Sequence, residues 1–178
     1  HSSEKNDFLQ SRFSFDLEAI EAELRHSIVG QDHAIEALVN ILRVVRADIG
    51  DPRKPLGTVL FCGPTGVGKT ETVRTLARIL YGDADAMCRV DMNTLAQEHY
   101  SAALTGAPPG YVGSKEGTTI LDQEKIEGTR NLPGIVLFDE LEKASNEVVL
   151  ALLNVFDNGI LTVASGERTY SFRNAIIF

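Results

Sequence analysis

Gly63-Pro64-Thr65-Gly66-Val67-Gly68-Lys69-Thr70 is the stretch on which the rest of the chain turns. Its spaced glycines and terminal Lys-Thr pair satisfy G-x4-G-K-[ST], a loop whose backbone N–H groups wrap phosphate oxygens at a range that side chains would block. The flanks fit the same reading. Before it, Thr58-Val59-Leu60-Phe61-Cys62 is the short continuous apolar run of a strand buried in a parallel sheet. After it, Val73, Leu76, Ala77 and Leu80 recur at helical spacing, and a helix amino end placed there adds positive potential for an anion. Lys69 is therefore expected to bridge the β- and γ-phosphates of ATP, and Thr70 to offer its hydroxyl to Mg²⁺. The expected nucleotide-binding set is Gly63, Pro64, Thr65, Gly66, Val67, Gly68, Lys69, Thr70 and Glu71.

Its counterpart lies downstream in Ile135-Val136-Leu137-Phe138-Asp139-Glu140, an apolar strand that ends in two acids. Asp139 is expected to hold the metal through its water shell, and Glu140 to polarise the attacking water as general base. The Glu beside the Asp favours hydrolysis over transfer to a small acceptor. Met87 to Met92 and Ala175 to Phe178 complete the expected core strands. Strands alternating with helices predict a parallel α/β sheet with ligands at the carboxyl ends of its strands.

Further out, Asp16 reads as the N-cap of a helix carrying Leu17, Ile20 and Leu24, with Glu18 and Glu21 near its positive end. Past Gly30 a second helix is expected, with Ile35, Leu38, Leu42, Val45 and Ile49 on one face. The helix after Ser145 is apolar almost all round, which requires cover on more than one side. Ile160–Val163 and Arg168–Phe172 predict a hairpin about a Gly-bearing turn. Pro108-Pro109-Gly110-Tyr111-Val112-Gly113 is either a turn whose Tyr packs locally or a tip that presses a ring on something passing.

The net charge of −8 argues against a nucleic-acid surface, which calls for clustered Lys and Arg. Cys62 and Cys88 lack disulfide or metal spacing and read as small buried residues in a reducing, cytoplasmic setting. His26, His33 and His99 are too scattered for a metal site. No apolar run reaches the roughly 20 residues needed to span a bilayer. Residues 1–15 are expected to be a disordered leader or an added segment, and 16–178 the nucleotide-binding unit. The start without Met and the stop within a strand suggest a piece of a longer protein.

Together these motifs resemble the AAA+ module of the Clp unfoldases and disaggregases, in particular the second ATPase module of the ClpA/ClpB/ClpC/ClpV group. The resemblance rests on Ile28-Val29-Gly30-Gln31, Gly63 to Thr70, Val90-Asp91-Met92, Gly106 to Gly113, Phe138-Asp139-Glu140 with Glu142-Lys143-Ala144, and Phe172-Arg173-Asn174. It implies the large AAA+ subdomain, a three-layer P-loop sandwich cut before its last strand and helical lid, with the sensor residues and arginine finger lying beyond Phe178. Ile28 and Val29 would cradle adenine, and Gly110, Tyr111, Val112 and Gly113 would form a pore loop with Tyr111 as the gripping residue. The parent would be a hexameric ring that uses ATP and Mg²⁺ to thread unfolded or aggregated protein, alone or with a peptidase or co-chaperone, without membrane or nucleic acid. Departures cluster near the expected channel: Gly159-Ile160-Leu161-Thr162-Val163 lacks the family's Arg and Asp, which puts substrate type in doubt. A loader or helicase acting on nucleic acid, and a nucleotide-dependent assembly switch, remain open alternatives.

Overall fold

The computed structural model describes residues 12–61, 66–92, 121–163 and 168–178, with backbone only at 66, 67, 163 and 168. Its helices are α1 (Leu17–Ser27), α2 (Asp32–Ala47), α3 (Gly66–Tyr81), α4 (Gln123–Glu127) and α5 (Asn146–Asn158). Its strands are β1 (Gly57–Thr58), β2 (Cys88–Asp91), β3 (Gly134–Asp139), β4 (Ile160–Val163), β5 (Arg168–Ser171) and β6 (Ala175–Ile177). The main sheet runs β1-β6-β3-β2, and every pairing in it is parallel. The apolar run after Pro55 continues past β1 as Val59 donates to the Ile177 carbonyl.

The continuous apolar character of β3 is explained by cover on both faces. Ile135 and Leu137 pack with Leu24, Ile35, Leu38, Leu42, Val73 and Leu76 from α1, α2 and α3. Val136 and Phe138, one residue out of phase, pack with Val148, Leu152 and Val155 of α5 and with Tyr170 and Phe172. This is the three-layer parallel α/β arrangement expected from the sequence. In a separate two-stranded sheet, β4 pairs antiparallel with β5, Ile160 opposite Ser171 and Leu161 opposite Tyr170. The turn between them lies outside the described residues.

The cap expected at Asp16 is in place, and Ser145 supplies a second. Asp16 accepts from the Ala19 N–H and Ser145 from the Val148 N–H, satisfying amides that the first helical turn leaves open. Two readings are corrected. Phe13 and Phe15 are buried in the core, Phe13 only 2% exposed, and Arg12 pairs with Asp48, so residues 12–15 are packed, not frayed. Ile49 is exposed because α2 ends at Ala47 and Asp48 turns left-handed, φ 51°, which breaks the helical register one step before Ile49. On α5, Val148, Leu152 and Val155 face the core, while Leu150 and Leu153 remain 66% and 53% exposed. Among the described residues the helix is thus covered on one side only.

Candidate functional site

At the carboxyl ends of β1, β6 and β3 lies a cavity of about 800 Å³, large enough for a nucleotide. Lys69, Thr70 and Glu71 reach it from the amino-terminal part of α3, and Asp139 and Glu140 from the end of β3. These two groups are far apart in sequence, and the parallel sheet brings them to one opening. Phe61 and Phe178 line it on an apolar side, their rings stacked at 5.8 Å and 11°.

The amine of Lys69 donates to the Phe61 carbonyl at 3.0 Å, which holds it at the end of the strand that precedes the glycine loop. α3 begins at Gly66, so Gly66 to Lys69 form its first turn, with N–H groups that a helix leaves unsatisfied. Gly63, Pro64 and Thr65 lie outside the described residues, as do Gly110, Tyr111, Val112 and Gly113. At Gly68 a Cβ would stand 2.3 Å from Gln31 Nε2, so the segment ending in Gln31 packs directly on the start of α3. Ile28 and Val29 do not line the cavity: Ile28 is buried in the core, and Val29 is 92% exposed.

The two acids differ in setting. Asp139 closes β3, opposite Asp91 of β2, and its carboxylate accepts from Arg89 Nη2 at 2.6 Å. Glu140 lies just past the strand with φ 57° and ψ 48°, a left-handed conformation that costs a residue with a Cβ roughly 1–2 kcal/mol. Its Oε2 stands 3.7 Å from Lys143 Nζ, a half-exposed pair of small energetic weight. A strained acid at a cavity rim is the kind of outlier that points to function.

Arg89 also lines the cavity, a placement that no motif in the sequence signals. It alternates with buried Cys88 and Val90, which reads as an ordinary outward-facing strand residue. Burial pushes the Cys88 thiol pKa up, consistent with a packed, unreactive cysteine; Cys62 lies outside the described residues. Among the described residues no cluster of three or more His, Cys, Asp and Glu could hold a metal alone. The donors on offer, the Thr70 hydroxyl and the Asp139 carboxylate, are hard oxygens. They suit Mg²⁺, which keeps several waters and takes the rest of its shell from a substrate's phosphates. No helix among the described residues is long and apolar enough to cross a membrane.

Residues 54–178 match the family model described as AAA domain (Cdc48 subfamily). The chain is 68% identical over 170 residues to the "ATP-dependent protease ATP-binding subunit-like protein AmiB" of Pseudomonas aeruginosa, covering 96% of this chain and 46% of that protein. It is 50% identical over 165 residues to an "ATP-dependent protease ATP-binding subunit-like protein" of Rhodococcus erythropolis, covering 93% and 47%. It is also 46% identical over 159 residues to the "Chaperone protein ClpB" of Bdellovibrio bacteriovorus, covering 89% and 18%. The chain spans about half the length of the first two of these relatives.

Proposed function

The chain belongs to the AAA domain family, Cdc48 subfamily, with Clp-type proteins among its relatives, and on that footing we propose that it binds ATP with Mg²⁺ and hydrolyses it. The observation that carries this reading is the meeting of Lys69, Thr70, Asp139 and Glu140 on one cavity at the carboxyl ends of parallel strands. In this reading the nucleotide-binding unit includes residues 12–15 with the expected 16–178, since Phe13 and Phe15 belong to its core.

The first-turn amides of α3 and the Lys69 ammonium bind the β- and γ-phosphates, and among the described residues lining the cavity Arg89 is the one other cation. The Thr70 hydroxyl and the Asp139 carboxylate would hold Mg²⁺. Once bound, the metal neutralises developing charge on the phosphate oxygens. Glu140 orients a water in line with the γ-phosphorus and accepts its proton as the new P–O bond forms and the bond to the ADP oxygen breaks. The stacked Phe61 and Phe178 keep bulk water from one side of the cavity, so the charges there act in a medium less screening than water. The β4–β5 hairpin would face the same channel as Tyr111.

The work done with this energy follows the relatives, one named as a chaperone and two as ATP-dependent protease ATP-binding subunit-like proteins. We extend the reading to a hexameric ring that threads unfolded or aggregated polypeptide, with Tyr111 gripping the chain by apolar contact that is indifferent to sequence. Peptidase or co-chaperone partners and a cytoplasmic location belong to the same reading.

The test is Glu140→Gln in the full-length protein. It should bind ATP as the wild type does while steady-state phosphate release falls at least about a hundredfold, the usual weight of a positioned base. Turnover at the wild-type rate would place the base elsewhere.

A further inference from the structure

The proposed metal-holding acid already carries a cation from its own chain. Arg89 stands on β2, in register with Leu137 and two residues before the Asp91–Asp139 pair. That offset is about 6.6 Å along the strand, and the Arg89 side chain spans it to place Nη2 2.6 Å from Asp139 Oδ2. The contact joins a carboxylate that is 18% exposed to a guanidinium that is 51% exposed. Arg89 lines the same cavity as Lys69 and Thr70, so it is placed to act on whatever enters there.

Resting on the nucleotide reading above, we propose that Arg89 is a positioning residue that stands in for the metal: it holds Asp139 in the absence of ligand, opposes a divalent ion at that carboxylate, and favours the triphosphate. Two consequences of opposite sign follow from one charge. A divalent ion bound near Asp139 must share the carboxylate with a guanidinium or displace it, and in either case it meets a like charge in the same cavity. A triphosphate meets an attractive charge there, with a fork of donors suited to phosphate oxygens. Drawing the guanidinium toward phosphate frees Asp139, so metal and nucleotide are favoured together and the metal is disfavoured alone. Lys143 at 3.7 Å from Glu140 repeats the pattern at the second acid, so neither carboxylate is without a counter-charge among the described residues.

Orientation is the competing effect, since loss of Arg89 also frees the Asp139 side chain. Asp139 ends β3 with its backbone paired to Asp91 of β2, and the strand is held on its other side as far as Phe138, whose N–H donates to the Phe178 carbonyl, so its backbone is fixed without Arg89. Electrostatics therefore sets the sign.

The experiment uses the full-length protein and a fluorescent ATP analogue, titrated in EDTA and again with Mg²⁺ varied at saturating analogue. For Arg89→Ala the metal-free affinity should fall about fivefold, and the Mg²⁺ concentration at half-effect should also fall about fivefold, as expected for a unit charge roughly 8 Å from a divalent ion in water-like surroundings. Arg89→Lys, which keeps the charge, should stay within about twofold of wild type on the Mg²⁺ axis. The proposal is overturned if nucleotide and Mg²⁺ both bind less well in Arg89→Ala, which marks a merely structural residue, or if neither moves. If the wild-type protein fails to bind the analogue at all, the nucleotide reading fails first and this inference goes with it.

Discussion

Glu140 offers a test in which stability and turnover separate. Its φ of 57° lies where a side chain costs roughly 1–2 kcal/mol and glycine costs nothing. Glu140→Gly removes that strain, whereas Glu140→Ala keeps it. Against glycine stands the greater freedom it gives the unfolded chain, about 0.4–1 kcal/mol relative to Ala. The Lys143 contact is lost in both variants and cancels from the comparison. The Gly variant should therefore be more stable than the Ala variant by about 0.5–1 kcal/mol, or a melting difference of roughly 1–4 °C for a chain of this size. Urea unfolding of the two variants side by side, with equal slopes, reads the difference directly. Glu142, inside the short 3₁₀ turn Leu141–Lys143, serves as the control: its ordinary backbone should make Gly the less stable choice. Both Glu140 variants should lose phosphate release. An Ala variant as stable as the Gly variant would refute the left-handed strain and the functional weight placed on it.

Tyr81 donates to the Pro133 carbonyl, and Tyr81→Phe should cost about 1–2 kcal/mol in urea unfolding by leaving a carbonyl short of a partner. Burial pushes the Tyr81 phenol up to about 12, so its stabilisation is whole below the unfolded value near 10 and is lost as pH rises through 12; the gap between wild type and Tyr81→Phe should shrink over that window, and a constant gap would contradict the burial. Tyr111→Ala should leave ATP turnover near wild type while unfolding of a tagged protein substrate stops; normal unfolding would remove Tyr111 from the grip. Leu150→Glu, on the exposed face of α5, should leave the melting of the 178-residue chain within about 0.5 kcal/mol yet weaken nucleotide-dependent assembly of the full protein by light scattering; unchanged assembly would clear that face of a role between subunits.

What the sequence made legible was local chemistry and what it hid was pairing across the sheet. The glycine loop, the acid pair after an apolar strand and the Asp16 cap each announce themselves within a few residues, because each depends on its immediate neighbours. Phe13 and Phe15 alternate with Ser14 and Asp16 just ahead of the α1 cap, too short a pattern beside a polar stretch to set apart a packed extended segment from a loose one, so their burial against the core was not read from spacing. Ile49 kept the α2 period on paper, but the left-handed turn at Asp48 is a backbone event that a non-glycine residue does not advertise. The same holds for Glu140, where the motif gave the acid and nothing gave its conformation.

Arg89 is the instructive omission. Alternation along β2 assigns it correctly to the face away from Cys88 and Val90, and the ordinary conclusion from that pattern is a solvated charge. What changes the conclusion is register: β2 and β3 are parallel with Asp91 opposite Asp139, which brings a residue 50 positions away within reach of the acid. A motif fixes which groups do chemistry, whereas the sheet fixes which charges those groups must contend with before any ligand arrives. The affinity of such a site for its metal is therefore a property of the fold around the motif, and substitutions at Arg89 should alter it while every residue of the motif stays in place.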